Sequence, residues 1–214
     1  AAWNGAALKK RTSDLVRTDG GHAAAILSVE GELTGFAFDA AGDVWLTQLT
    51  TAGGTLCRAK HDSWGAAVEQ VVTQLDGAPL GAVSAVEVSP AGKVYFAVAA
   101  AAGAENGLES ALRTELLAHT GTGWVYVYDP ADRSVQRGVG GVAGASGLAL
   151  SPDGRTLYVS DLGNRCVWSM DADARELTAG GKNCQSAFSG LPGYPGALAM
   201  DCLLYTSDAA DDRI

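Results

Sequence analysis

The chain has 214 residues, 47% of them hydrophobic and 18% charged, which supports one sizeable core and excludes a disordered or collagen-like polymer. Its formal net charge of −9 at pH 7 is opposite to the basic footprint that phosphate-backbone binding needs, which argues against nucleic acid as a partner. No apolar run approaches the roughly 20 residues that carry a helix across a bilayer, so no membrane segment is expected. The 28 glycines fall between short alternating apolar runs, the punctuation of many strands joined by turns.

In chain order, residues 1–5 (AAWNG) hold no initiator Met, basic region or apolar stretch, so the true start is expected to be missing and the compartment is not readable. Residues 34–47, 85–97 and 147–160 then share one design: a short alternating strand, a turn opened by Asp or Pro and closed by Gly42, Gly92 or Gly154, and an aromatic-bearing strand. Each is predicted to be a β-hairpin. Further strands are predicted over 55–59, 68–72, 123–129, 134–137 and 165–169, giving about four per repeat. The turn glycines are 50 and 62 residues apart, beyond the roughly 40 to 50 of ordinary propeller blades. The excess falls in 99–120, where Leu108, Ala111, Leu112, Glu115 and Leu116 have helical spacing, so a short helix is expected to cover one end of the fold. The four cysteines, Cys57, Cys166, Cys184 and Cys202, have no metal-type spacing and read as buried free thiols; Cys166 and Cys184 can bridge only if adjacent strands bring them together. Nucleophile elbows, P-loops, dinucleotide fingerprints and zinc-binding His pairs are absent from the sequence.

A sheet facing water cannot bury both faces alone, so these repeats should stack around a shared axis as propeller blades. Residues 75–80 (LDGAPL) leading into 86–88 (VEV) and 94–96 (VYF), then 122–130 (TGWVYVYDP), 147–161 (GLALSPDGRTLYVSD) and 191–195 (LPGYP), together resemble the strictosidine synthase-like family. That family lies within the wider group of six-bladed propellers that includes gluconolactonase-like (SMP-30) and paraoxonase-like hydrolases. The resemblance implies an all-β chain, a partial six-bladed β-propeller of three to four blades with a short helical insertion. Residues 1–30 would end an incomplete first blade, 31–201 would form the blades, and 202–214 (CLLYTSDAADDRI) resemble a translated sequencing adapter to be excluded from fold reasoning. It also implies a small-molecule ligand in an axial pocket, bound either by a hydrolase or condensing enzyme or by a non-catalytic binding module.

Calcium-dependent relatives place Asn and Asp at the axial ends of inner strands. Here Ser84-Ala85, Ser146-Gly147 and Gly196-Ala197 stand at those positions, so no metal ligand and no cofactor is assigned. Ser84 and Ser146 either line the channel as ligand-binding hydroxyls or satisfy local backbone at a hairpin start. Three catalytic candidates carry paired readings. Glu87 is an acid/base in the channel or the polar member of a half-buried strand. Asp161 is a pocket acid or a turn cap. His119 is a proton carrier at the pocket mouth or a solvated loop residue.

Overall fold

All three predicted hairpins form, and the reason is visible at their turns. In the computed structural model, which describes residues 12–19, 21–63 and 68–200, Gly42, Gly92 and Gly154 take φ of 82°, 83° and 69°. Three residues before each glycine stands Asp39, Ser89 or Ser151, whose carbonyl accepts the glycine N–H at 3.0, 2.8 and 2.8 Å. The side chain of the same residue holds the far side of the turn: Asp39 Oδ1 accepts from Asp43 N, Ser89 Oγ from Lys93 N and Ser151 Oγ from Thr156 N.

The chain opens with a hairpin, β1 (Thr12–Asp19) and β2 (His22–Glu30). Blade A follows as β3 (Glu32–Phe38), β4 (Val44–Thr50), β5 (Gly53–Ala59) and β6 (Glu69–Val72), antiparallel and in chain order. A small hairpin, β7 (Gln74–Leu75) with β8 (Ala78–Pro79), leads to blade B: β9 (Ala82–Val88), β10 (Val94–Ala100), β11 (Gly123–Asp129) and β12 (Ser134–Val142). Blade C contains β13 (Ala145–Leu150), β14 (Thr156–Asp161), β15 (Cys166–Asp171) and β17 (Cys184–Phe188). One strand departs from the four-per-repeat expectation. β16 (Leu177–Thr178) lies between β15 and β17 in sequence yet pairs in parallel with β12, through Val139↔Leu177 and Gly140↔Thr178, giving blade B five strands.

β4 and β10 are buried along nearly their whole length because successive side chains enter two different cores. Phe96, with Trp45, Leu56, Val83 and Tyr128, packs between blades A and B, whereas its neighbour Tyr95, with Val125, Leu150, Val159 and Met170, packs between blades B and C. The β1–β2 hairpin covers the other face of blade A through Leu15, Leu27 and Val29 against Val44, Leu46 and Cys57. Large rings fill the wedge between sheets, as where Trp45 and Tyr128 lie 5.7 Å apart.

The predicted helix is α1 (Leu108–Ala118). It crosses the end of the blades at which the inner strands begin: Leu108 N donates to Glu32 Oε2 at the start of β3, Ala111 abuts Gly103, and Leu112 reaches Gly144 just before β13. Ala111 and Glu115 are buried, while Leu117 on the opposite face is 78% exposed. Glu115 accepts from Thr120 Oγ1, Gly121 N, Thr122 N and Thr122 Oγ1, and so ties the helix to the loop entering β11. Cys57, Cys166 and Cys184 are buried free thiols. Register explains the unbridged pair, since Cys166 stands opposite Asp161 on one side of β15, while Cys184 stands opposite Met170 on the other. Among the described residues no helix is long and apolar enough to cross a membrane. The expectations for residues 1–11, for the tail 202–214 and for Cys202 lie outside the described residues.

Candidate functional site: an axial cleft

The inner strands β3, β9 and β13 are built alike at their start. Thr34, Ser84 and Ser146 each stand eight residues before the turn glycine, and each is the extra residue of a β-bulge: Leu33 and Gly35 pair with Gln48 and Thr47, Val83 and Ala85 with Val98 and Ala97, Ala145 and Gly147 with Asp161 and Ser160. A bulge re-aims the side chain it carries. The residues just after are small because the strands nearly touch. A Cβ on Gly35 would lie 3.0 Å from Ala85 Cα, and one on Gly147 would lie 2.5 Å from the Gly196 carbonyl oxygen.

These strands enclose a cleft of about 430 Å³, walled also by Asp14 of β1 and by Ala197 and Leu198. Ser84, Ser146 and Glu87 all line it, as does Phe36, which is 50% exposed. The shortest contacts of the serine hydroxyls are to distant backbone, with longer ones to Ala97 O for Ser84 (3.4 Å) and to Ser160 Oγ for Ser146 (3.0 Å). Ser84 Oγ donates to Ala145 O at 2.6 Å, and Ser146 Oγ to Pro195 O at 2.8 Å. Beside it the fully buried Ser160 donates to Gly196 O at 2.8 Å. Thr34 Oγ1 remains within its own blade, facing Thr47 O and Oγ1 at 3.1 and 2.9 Å.

Glu87 is half-buried in the cleft and has no hydrogen-bond or ion-pair partner among the described residues; burial pushes its carboxyl above the usual carboxylate range. Asp161 and His119 stand apart from the cleft. Asp161 is fully buried in its own turn, where Oδ1 accepts Asn164 N at 2.9 Å and Oδ2 accepts Asn164 Nδ2 and Trp168 Nε1 at 2.8 Å each. Both oxygens therefore serve the turn and the neighbouring strand. His119 is exposed and ends α1 in the left-handed region, φ 50°, beside Gly163 of that same turn. Thr34 and Ser160 were not singled out from sequence; the eight-residue spacing to the turn glycine identifies Thr34, but nothing local marks Ser160.

The axial positions do not fit a hard dication. Calcium takes six to eight oxygen ligands, carboxylates prominent among them, and these positions offer neutral hydroxyls and backbone instead. Among the described residues no three His, Cys, Asp or Glu side chains converge.

Three blades stacked through shared cores around inner strands that enclose a cleft define a β-propeller protein. Residues 31–204 match the family described as SMP-30/Gluconolactonase/LRE-like region, and the chain belongs to that family. This is the wider gluconolactonase group; the narrower strictosidine synthase resemblance is not specifically supported. Among solved structures, the chain is similar to a putative gluconolactonase (18% identity, 83% of this chain and 57% of that one, TM-score 0.60). It is also similar to a gluconolactonase from Xanthomonas campestris (20%, 84% and 56%, TM-score 0.61) and to a chain of a nidogen/laminin complex (17%, 84% and 57%, TM-score 0.60). The chain thus spans a little over half the length of these solved chains. A search of curated proteins finds no match.

Proposed function

We propose that this propeller is a lactonase-type hydrolase that takes a small lactone or ester in the axial cleft, with residues 31–201 forming its blades and Glu87 as general base. The observation that carries the reading is an unpartnered, half-buried carboxylate of raised pKa in a cleft walled by the inner strands of three blades. A carboxylate destabilised by burial is a stronger base than one in water. Glu87 takes a proton as a water oxygen attacks the acyl carbon, and returns it to the alkoxide oxygen when the acyl C–O bond breaks, leaving a hydroxy acid or an acid and an alcohol. Fold likeness to gluconolactonases supports this choice of substrate class.

A second reading is a non-catalytic ligand-binding propeller, favoured by the commitment of Ser84 and Ser146 to backbone, which leaves no oxyanion donor among these hydroxyls. One experiment separates the two. Hydrolysis of glucono-1,5-lactone and p-nitrophenyl acetate is followed for the native chain and for Glu87→Gln, with circular dichroism as a control on folding. Loss of roughly 10²-fold or more in kcat supports the base. Equal turnover by native protein and variant removes Glu87 from the mechanism, and saturable lactone binding without turnover supports the binding module.

A further inference from the structure

We propose that Ser84, Ser146 and Ser160 are inter-blade ties that hold the propeller axis without a divalent cation. Ser84 on β9 of blade B donates to the carbonyl of Ala145, which opens β13 of blade C, 61 residues away. Ser146 and Ser160 of blade C donate to the consecutive carbonyls of Pro195 and Gly196, 49 and 36 residues away, on the segment that walls the next side of the cleft. Side chains that bond so far along the chain fasten one structural unit to the next, beyond the weaker contacts of 3.0–3.5 Å that the same hydroxyls make within their own hairpins.

These positions are a poor set for a hard dication because they offer neutral hydroxyls and backbone where such an ion recruits carboxylates. Ser84 Oγ has its shortest contact to Ala145 O, and the hydroxyls of Ser146 and Ser160, 3.0 Å apart, share their two protons between each other and the carbonyls of Pro195 and Gly196. The two carboxylates that line the cleft, Asp14 and Glu87, gather no third His, Cys, Asp or Glu among the described residues. Ser84 is 3% exposed and Ser160 is fully buried, so water does not replace a lost bond cheaply.

The test is thermal melting of the full chain in EDTA, in 1 mM CaCl2 and in 1 mM MnCl2, repeated for Ser84→Ala, Ser146→Ala and Ser84→Thr. The native Tm is expected to agree within about 1 °C across the three conditions, because nothing binds preferentially to the folded axis. Ser84→Ala and Ser146→Ala should each lower it by about 3–8 °C in every condition, from the carbonyl left unsatisfied. Ser84→Thr retains the hydroxyl donor and should recover most of the loss seen with Ser84→Ala. A cation-dependent rise of roughly 5–10 °C that the alanine variants abolish would show a bound dication and overturn the proposal. Alanine variants that melt with the native chain would overturn it as well. Melting does not depend on turnover, so this result stands apart from the fate of Glu87 as a base.

Discussion

Replacing Asp161 tests whether a carboxylate at the end of an inner-pair strand belongs to the turn or to the pocket. In the folded chain it accepts three hydrogen bonds at 2.8–2.9 Å, from Asn164 N, Asn164 Nδ2 and Trp168 Nε1, with no exposure to solvent. Asp161→Ala takes the acceptor from two part-buried donors, the Asn164 amide and the Trp168 indole N–H; the Asn164 side chain is exposed and turns to water. At roughly 1–3 kcal/mol per unsatisfied donor, toward the low end for part-buried bonds, the loss should be about 3 kcal/mol. Asp161→Asn preserves one acceptor and should lose about half as much. Urea unfolding read by circular dichroism measures this, and at about 2 kcal/mol/M the alanine variant should unfold some 1.5 M earlier. A double-mutant cycle with Trp168→Phe should give a coupling of about 1 kcal/mol or more, because that pair shares one bond. Native-like unfolding of Asp161→Ala together with loss of lactone binding would refute the turn assignment and return Asp161 to the pocket.

Two further outcomes follow from the same geometry. Burial alone would raise the carboxyl pKa of Glu115, but hydrogen bonds from Thr122, Thr120 and Gly121 outweigh it and the net shift is downward. Its stabilising effect is therefore present above the unfolded carboxylate pKa of about 4.3 and is lost as pH falls through the lower folded value. Glu115→Gln should lower stability at pH 7 by about 1–2 kcal/mol and flatten the acid limb of a plot of unfolding free energy against pH. Gly147→Ala places a methyl 2.5 Å from Gly196 O and 2.7 Å from Leu198 N, both backbone atoms, so the cleft wall must move. A loss of about 1–3 kcal/mol in urea unfolding is expected, against little change for Gly193→Ala, where an added Cβ meets nothing within 4 Å.

The hairpins were legible because everything that makes them is local: an alternating run, a residue whose oxygen closes the turn, and a glycine free to take positive φ at the right spacing. The helix was legible from Leu108, Ala111, Leu112, Glu115 and Leu116 for the same reason, although sequence did not say that Glu115 would serve the loop at 120–122. The candidate site was only partly legible. Ser84, Ser146 and Glu87 each carried two readings, and all three line the cleft; the partners of the serines are 49 and 61 residues away and leave no trace in a local pattern. Asp161 offered a fair choice between two roles, and what engages one of its oxygens is an indole seven residues on and across a strand pair. β16 was missed because a two-residue parallel pairing carries neither period nor turn signal.

That small pairing changes what kind of cooperativity the molecule can have. In a simple array each unit meets only its neighbour's face, and units peel away in series. Here the chain leaves blade C after β15, zips onto the outer edge of blade B, and only then returns to complete blade C with β17. Releasing Leu177 and Thr178 thus frees the edge of one blade and slackens the final strand of the other. Amide exchange should report Val139, Gly140, Thr178 and the β15–β17 ladder opening as one unit, while the β1–β2 hairpin, sealed to blade A by its own small core, opens on its own.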